Sequence, residues 1–282
     1  MLQRNLYPQL LYPLSLLLSL LIVRPCMSQQ PRSVIISDTQ LVNIEEPRMH
    51  GTDTLTAQVS SFSALPKGEG QLIFGTTHDL SLFNARVVLL KPGWTTESAS
   101  PTEMDNLFII RDGHLKITTG NTSRILGPGG VALISDGEHY RLQAADSSAC
   151  SYYILIFRSR SGKDPDRARK AGSVFFLDWP EMVMKKTDKG ESRQIFDKPV
   201  AWLGRIDMHA TTLNAGEVSH LPHIHRAEEI ILMRSGNVQE YIGGKYYKAT
   251  AGDLIFLPSG VPHALENKSN QRCEYFALQW ML

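Results

Sequence analysis

Gly93, Gly113, Gly129, Gly137 and Cys150 return as Gly216, Gly236, Gly252, Gly260 and Cys273, each 123 positions later and without a gap. An offset held that strictly constrains the chain to two copies of one structural unit. The segments between these markers are short apolar or alternating runs, among them residues 85–90, 106–110, 131–134, 230–233 and 253–257, separated by Gly, Pro and Asn. No long stretch carries a helical period, so each copy is predicted to be built of strands. The two cysteines open similar runs, Cys150-SYYILIF and Cys273-EYFALQW, and are expected at matching core positions rather than as a bonded pair, although a disulfide stays open in an oxidising compartment. Upstream, Ser33-VIISDTQLV resembles Ser173-VFFLDWPEMV at an offset of 140, which predicts about 17 extra residues in the first copy between residues 43 and 83.

The second copy concentrates residues with chemistry. His223 and His225 stand two apart, Glu229 follows, and His263 comes after the turn sequence Pro258-Ser-Gly260. On a strand, residues two apart share a face, a carboxylate just beyond closes on the same point, and the turn brings His263 over it from a neighbouring strand. Three imidazoles and one carboxylate suit a divalent first-row transition metal and leave coordination positions for substrate or water.

The order of glycines, histidines, glutamate and proline in residues 216–267 resembles the two motifs of the cupin superfamily, and with the repeat the chain looks like a bicupin. That resemblance implies an all-β fold of two tandem jelly-roll β-barrels. It also implies that His223, His225, Glu229 and His263 ligate one divalent metal ion (Mn, Fe, Ni, Co or Zn) in the C-terminal barrel. The family spacing selects Glu229 over its neighbour Glu228, which alternation then turns outward, and His220 is out of phase with His223 and is expected at the rim. His209 and Gln279 lie on strands expected to flank the pocket and are the candidate acid-base residues.

Shifting the ligands back by 123 positions gives Ser100, Thr102, Asn106 and Tyr140, none of a matching type, while His139 is one residue off and so faces the other way. The first barrel is therefore expected to hold no metal and to pack structurally against the second.

Four stretches are expected along the chain: residues 1–28 as a secretory signal, 29–157 as the first barrel, 158–172 as a polar, basic linker and 173–282 as the second barrel. Arg4 precedes an apolar run at residues 10–23 that is too short to span a bilayer, and Cys26 and Ser28 are small residues two apart, as before a cleavage point. Arg24-Pro25 ahead of Cys26 match lipoprotein processing poorly, which puts secretion ahead of a lipid anchor. The expected compartment is thus secreted or periplasmic, with no membrane attachment after cleavage. Of 29 Lys and Arg, Arg4 and Arg24 fall in that signal, leaving 27 against 28 Asp and Glu; this near-neutral balance argues against nucleic-acid binding. Asn121-Thr-Ser and Asn267-Lys-Ser match glycosylation sequons, the second inside the cupin motif.

The resemblance implies a small-molecule partner and is compatible with a homo-oligomer, but cupins include dioxygenases, oxalate-converting enzymes, isomerases, hydrolases and sugar-binding proteins. The reading favoured here is a metal-dependent enzyme acting on a small oxygen-rich substrate such as a sugar acid, keto acid or phenolic. A non-enzymatic sugar or acid binding module is the alternative. Ureidoglycine aminohydrolase, a bicupin, shares the layout of an unloaded first barrel and a metal-bearing second. Its ligand pattern is Glu-x-His-x3-His with a later Gln, against His-x-His-x3-Glu with a later His here.

Overall fold

The computed structural model describes residues 54–98 and 103–282 in full and, in addition, the strand backbones Ser33–Ser37 and Gln40–Asn43. The expected signal segment, Ser100 and Thr102 lie outside the described residues. Both expected jelly rolls are present, the first as two six-stranded sheets and the second as a seven-stranded sheet facing a three-stranded one. In the first, the outer sheet runs Val174–Leu177, Val131–Ile134, Asp105–Asp112, Cys150–Ser159, Leu80–Leu90 and Gly70–Gly75. In the second, it runs Met184–Thr187, Gly190–Lys198, Arg205–Leu213, Cys273–Met281, Glu228–Ser235, Leu254–Leu257 and Gln58–Ser60. The facing sheet of the second is Lys245–Thr250, Asn237–Ile242 and His263–Glu266.

Strand registers follow the sequence offset. Val131 pairs with Ile109 and Leu254 with Leu232; Cys150 pairs with Leu90 and Cys273 with Leu213. Even the irregularity where Tyr152 meets Ile110 returns where Tyr275 meets Met233. Both cysteines are buried, unbonded thiols, and burial first of all pushes them up, to about 12 for Cys150 and about 11 for Cys273.

Period-two alternation divides each outer strand between two cores. Along Glu228–Ser235, Ile231 and Met233 point into the second jelly roll, while Ile230 and Leu232 point into a core shared with the first. Phe83 and Phe157 from one side meet Phe256 and Trp280 from the other, with ring centroids 5.4 Å apart for Phe83 and Trp280 and 5.5 Å for Phe157 and Trp280. The first jelly roll thus does pack on the second.

The jelly rolls also exchange strands. Gln58–Ser60 pairs with Leu254–Leu257 of the second, and Val174–Leu177 pairs with Val131–Ile134 of the first. Each exchanged strand runs into a 3-10 turn, Phe62–Ala64 in one case and Trp179–Glu181 in the other. The structural counterpart of residues 174–181 is therefore the stretch around residues 57–64, not residues 33–42. The offset-140 likeness is corrected accordingly: Ser33–Ser37 pairs with Thr95–Ser98 in a different sheet, and local sequence likeness there did not reflect the same pairing partner. The expected linker is not irregular throughout either. It contains the helix Pro165–Ala171, begun by Asp164 accepting from the Arg167 amide at 3.0 Å.

Glu228 corrects a second expectation. Alternation does turn it away from Glu229, but that face is covered by the first jelly roll, and Glu228 is fully buried. Its carboxylate accepts from Thr77 Oγ1 at 2.5 Å, the His78 amide at 2.9 Å and Trp280 Nε1 at 3.0 Å, tying the 77–79 turn to the second jelly roll. Glu228→Ala strands these buried donors, so a loss of roughly 3–5 kcal/mol is expected. Urea unfolding with an unchanged slope and a lowered midpoint is the check; a midpoint equal to wild type sinks this reading.

Candidate metal centre

Three of the predicted ligands meet at one mouth of the second jelly roll. Glu229 is buried on Glu228–Ser235, His263 is buried at the start of His263–Glu266, and His225 is half-buried in the loop before the Glu229 strand. His225 Nε2 lies 3.1 Å and His263 Nε2 3.4 Å from Glu229 Oε2, and one ligand atom from each of the three falls within 4.8 Å of the others. The far nitrogens are tethered: His225 Nδ1 lies 2.8 Å from the Ala227 carbonyl and His263 Nδ1 2.8 Å from the Val261 carbonyl. A carbonyl only accepts, so each Nδ1 carries the proton and each Nε2 lone pair faces the cluster. His263 Nε2 is buried and makes no hydrogen bond.

His223 occupies a second trio. It is exposed, bonds across the mouth backbone to backbone with His263, and shares a 4.8 Å group with His220 and His263 rather than with Glu229. His220 stacks edge-on against His223 at 4.1 Å between centroids. The expectation that His220 is a mere rim residue is corrected. It precedes the paired stretch, where the chain is a loop and strand phase does not govern its side chain. The four predicted ligands are thus gathered around His263, with a fourth imidazole, His220, among them.

Electrostatics separate the trios. Burial pushes Glu229 up, but the adjoining His225 and His263 imidazoles more than reverse this and hold it at about 2. The Glu229 carboxylate in turn raises His225, whereas partial burial and the neighbouring imidazoles lower His223 and burial lowers His220. The inner trio includes a carboxylate, whereas the outer one is made of imidazoles alone.

Gln279 adjoins this centre, its Nε2 3.3 Å from Glu229 Oε2. His209 pairs with Ala277 one row further along the same face of the sheet as Glu229 and Gln279, so both candidates sit on the side that lines the jelly roll. Asn267 is fully buried and donates to the Leu213, Asn214 and Gln271 carbonyls, which makes it a turn anchor rather than a glycosylation acceptor. In the first jelly roll, Tyr140 is buried with its ring edge-on to Phe108 at 5.1 Å, and Asn106 is buried on the strand equivalent to that of Glu229.

One interior residue escaped the sequence reading. Glu240 lies between Val238 and Ile242 on the buried face of Asn237–Ile242, is fully buried, and neither carboxyl oxygen has a partner. Burial first, and then the Glu229 charge, push it up to about 9. The signal was available: a carboxylate interrupts an alternating apolar face where the first copy has Ile117.

A jelly roll with histidines and a carboxylate converging at one mouth defines the class, and comparison with known proteins agrees with it. Residues 210–279, within the second jelly roll, match the family model described as a cupin domain. Among solved structures, the oxalate decarboxylase of Lactobacillus farciminis in a formate complex is 14% identical, with a TM-score of 0.59 over 83% of this chain and 89% of that one. Salicylate 1,2-dioxygenase from Pseudaminobacter salicylatoxidans is 11% identical, with a TM-score of 0.55 over 79% and 84%. Protein Ylba from E. coli is 14% identical, with a TM-score of 0.55 over 93% and 96%. These likenesses establish a common fold. No curated protein sequence matches the chain.

Proposed function

We propose that this chain is a metal-dependent bicupin enzyme whose second jelly roll acts on a small oxygen-rich substrate. The observation that carries the reading is the inner trio: two Nε2 lone pairs fixed by backbone acceptors face one buried carboxylate, and His263 Nε2 has no hydrogen-bonding partner. Such a donor set fits a divalent transition metal better than it fits a packed polar cluster, which would satisfy each buried nitrogen. His225, Glu229 and His263 would hold the ion, with His223 as the fourth ligand expected from the motif. A bound ion of this type supplies Lewis acidity to a substrate oxygen. Gln279, donating to Glu229, orients the carboxylate, and His209 is placed further along the same face to take up or give a proton.

The domain reading belongs to the same proposal: a signal over residues 1–28, jelly rolls over 29–157 and 173–282 that exchange one strand each, and a secreted or periplasmic product. Turnover of diols, keto acids, phenolic acids and uronates is measured with metal-loaded and metal-stripped protein. Turnover of one class that depends on the ion is expected. Saturable binding without turnover across the panel points instead to a sugar or acid binding module.

A further inference from the structure

The first jelly roll contains a cavity of about 360 Å³, within the size range of small-molecule sites. Its walls are largely apolar and aromatic, with Val88, Trp94, Tyr140, Tyr152 and Ile154 among them, and Arg86 enters from the strand Leu80–Leu90, with Lys91, Glu69 and Glu97 the other charged residues of the lining. The offset of 123 places Arg86 where the second jelly roll has His209. A guanidinium therefore stands in the lumen in which the other copy gathers its imidazoles.

One nitrogen of that half-buried guanidinium lacks a partner. Arg86 Nε is buried without a hydrogen-bond acceptor, and among the described residues Arg86 forms no ion pair. Of the other charged residues in the lining, Glu97 pairs with Arg141, Lys91 lies over the Trp94 ring at 5.0 Å, and Glu69 is exposed to solvent. Arginine is never neutral in a protein, and a guanidinium N–H buried without an acceptor is costly. The second copy shows that the fold does not need an arginine there.

We infer that the first jelly roll is a separate binding site for a small organic carboxylate with an apolar or aromatic body, whose carboxylate pairs with Arg86. The guanidinium presents its planar donors to the two carboxylate oxygens, as in bidentate pairs elsewhere. Val88 and Ile154 contact the apolar body, and Tyr140, Tyr152 and Trp94 offer ring faces. The site uses no metal, so it stands apart from the centre in the second jelly roll.

The test titrates full-length, metal-stripped protein with benzoate and, separately, with benzyl alcohol, which keeps the ring and lacks the charge. Heat of binding and Trp fluorescence are followed, and both titrations are repeated on Arg86→Met, Arg86→Lys and the lumen-filling variant Ile154→Phe. Expected are saturable benzoate binding, at least tenfold weaker binding of benzyl alcohol, and at least tenfold weaker benzoate binding in Arg86→Met, with partial recovery in Arg86→Lys. Ile154→Phe weakens benzoate while leaving Arg86 in place. Circular dichroism confirms that each variant is folded, and the wild-type comparison of the two ligands stands whether or not a variant folds. No benzoate binding at millimolar concentration overturns the proposal. So does equal affinity for benzyl alcohol, or a folded Arg86→Met that binds benzoate as wild type does.

Discussion

Purified with a divalent transition metal, the wild-type chain is expected to retain close to one ion, and His225→Ala and Glu229→Ala are expected to retain none while staying folded. The reason lies in where stability comes from. The second jelly roll is held by an apolar interior that includes Ile231, Met233, Ile255, Leu257, Leu265 and Ala277, and by the core it shares with the first. None of those contacts involves the ion, unlike small zinc domains in which metal binding supplies the folding energy. Removing Glu229 takes away the only carboxylate of the inner trio; removing His225 takes away one of the two oriented lone pairs. Tyr140→Ala, at the equivalent place in the first jelly roll, keeps the ion and loses on the order of 1–4 kcal/mol, because a buried ring that packs on Phe108 leaves a void. Elemental analysis after gel filtration, with circular dichroism, reads both outcomes. His220→Ala completes the set. If it loses the ion while His225→Ala keeps it, the ion belongs to the outer trio of His220, His223 and His263. Unfolding of both ligand variants under conditions where Tyr140→Ala stays native would make the metal structural.

Replacing Glu240 with isoleucine should stabilise the metal-free protein at pH 7 by about 3 kcal/mol, an unusual sign for a substitution in a core. Burial, with the Glu229 charge second, raises this carboxyl from an ordinary 4.5 to about 9, so the folded state keeps a proton that the unfolded chain has lost at neutral pH. Between those two values the native state binds more protons than the unfolded state, and stability falls as pH rises, by up to about 1.4 kcal/mol per pH unit. Below pH 4.5 the carboxyl is protonated in both states and this contribution to the slope vanishes. Glu240→Ile removes that slope, and the side chain it introduces is the one the first copy already accommodates at Ile117. Glu240→Gln removes the titration while keeping the shape. Urea midpoints at pH 5, 7 and 9 decide the matter. A parallel pH profile for wild type and Glu240→Ile, or a destabilised variant at pH 7, contradicts the argument.

Much of the architecture was legible because it is written in local spacing. The fixed offset between Gly113 and Gly236 marks tight places: both have positive φ, and a Cβ on either would strike the backbone of the strand led by Cys150 or Cys273. Alternation separated Glu228 from Glu229, and His-x-His with a later His263 marked the mouth where ligands meet. Each of those inferences needs only the pitch of a strand and the geometry of a turn.

What lay beyond reach depended on which surface covers which. A strand period says that Glu228 faces away from Glu229, but only the docked first jelly roll makes that outer face an interior and gives Glu228 its donors from Thr77, His78 and Trp280. The exchange of Gln58–Ser60 and Val174–Leu177 was equally hidden, because strand edges are joined by backbone hydrogen bonds that carry no side-chain signature. His220 joined His223 because the loop before the strand folds over the mouth, where phase along the chain has no meaning. Sequence alone thus determined the strands, their repeat and the residue types at the mouth, since these follow from the covalent order. Tertiary structure decided which polar atoms are buried without partners, the Glu240 carboxyl oxygens and Arg86 Nε above all, since burial is a property of the neighbours that long-range packing supplies.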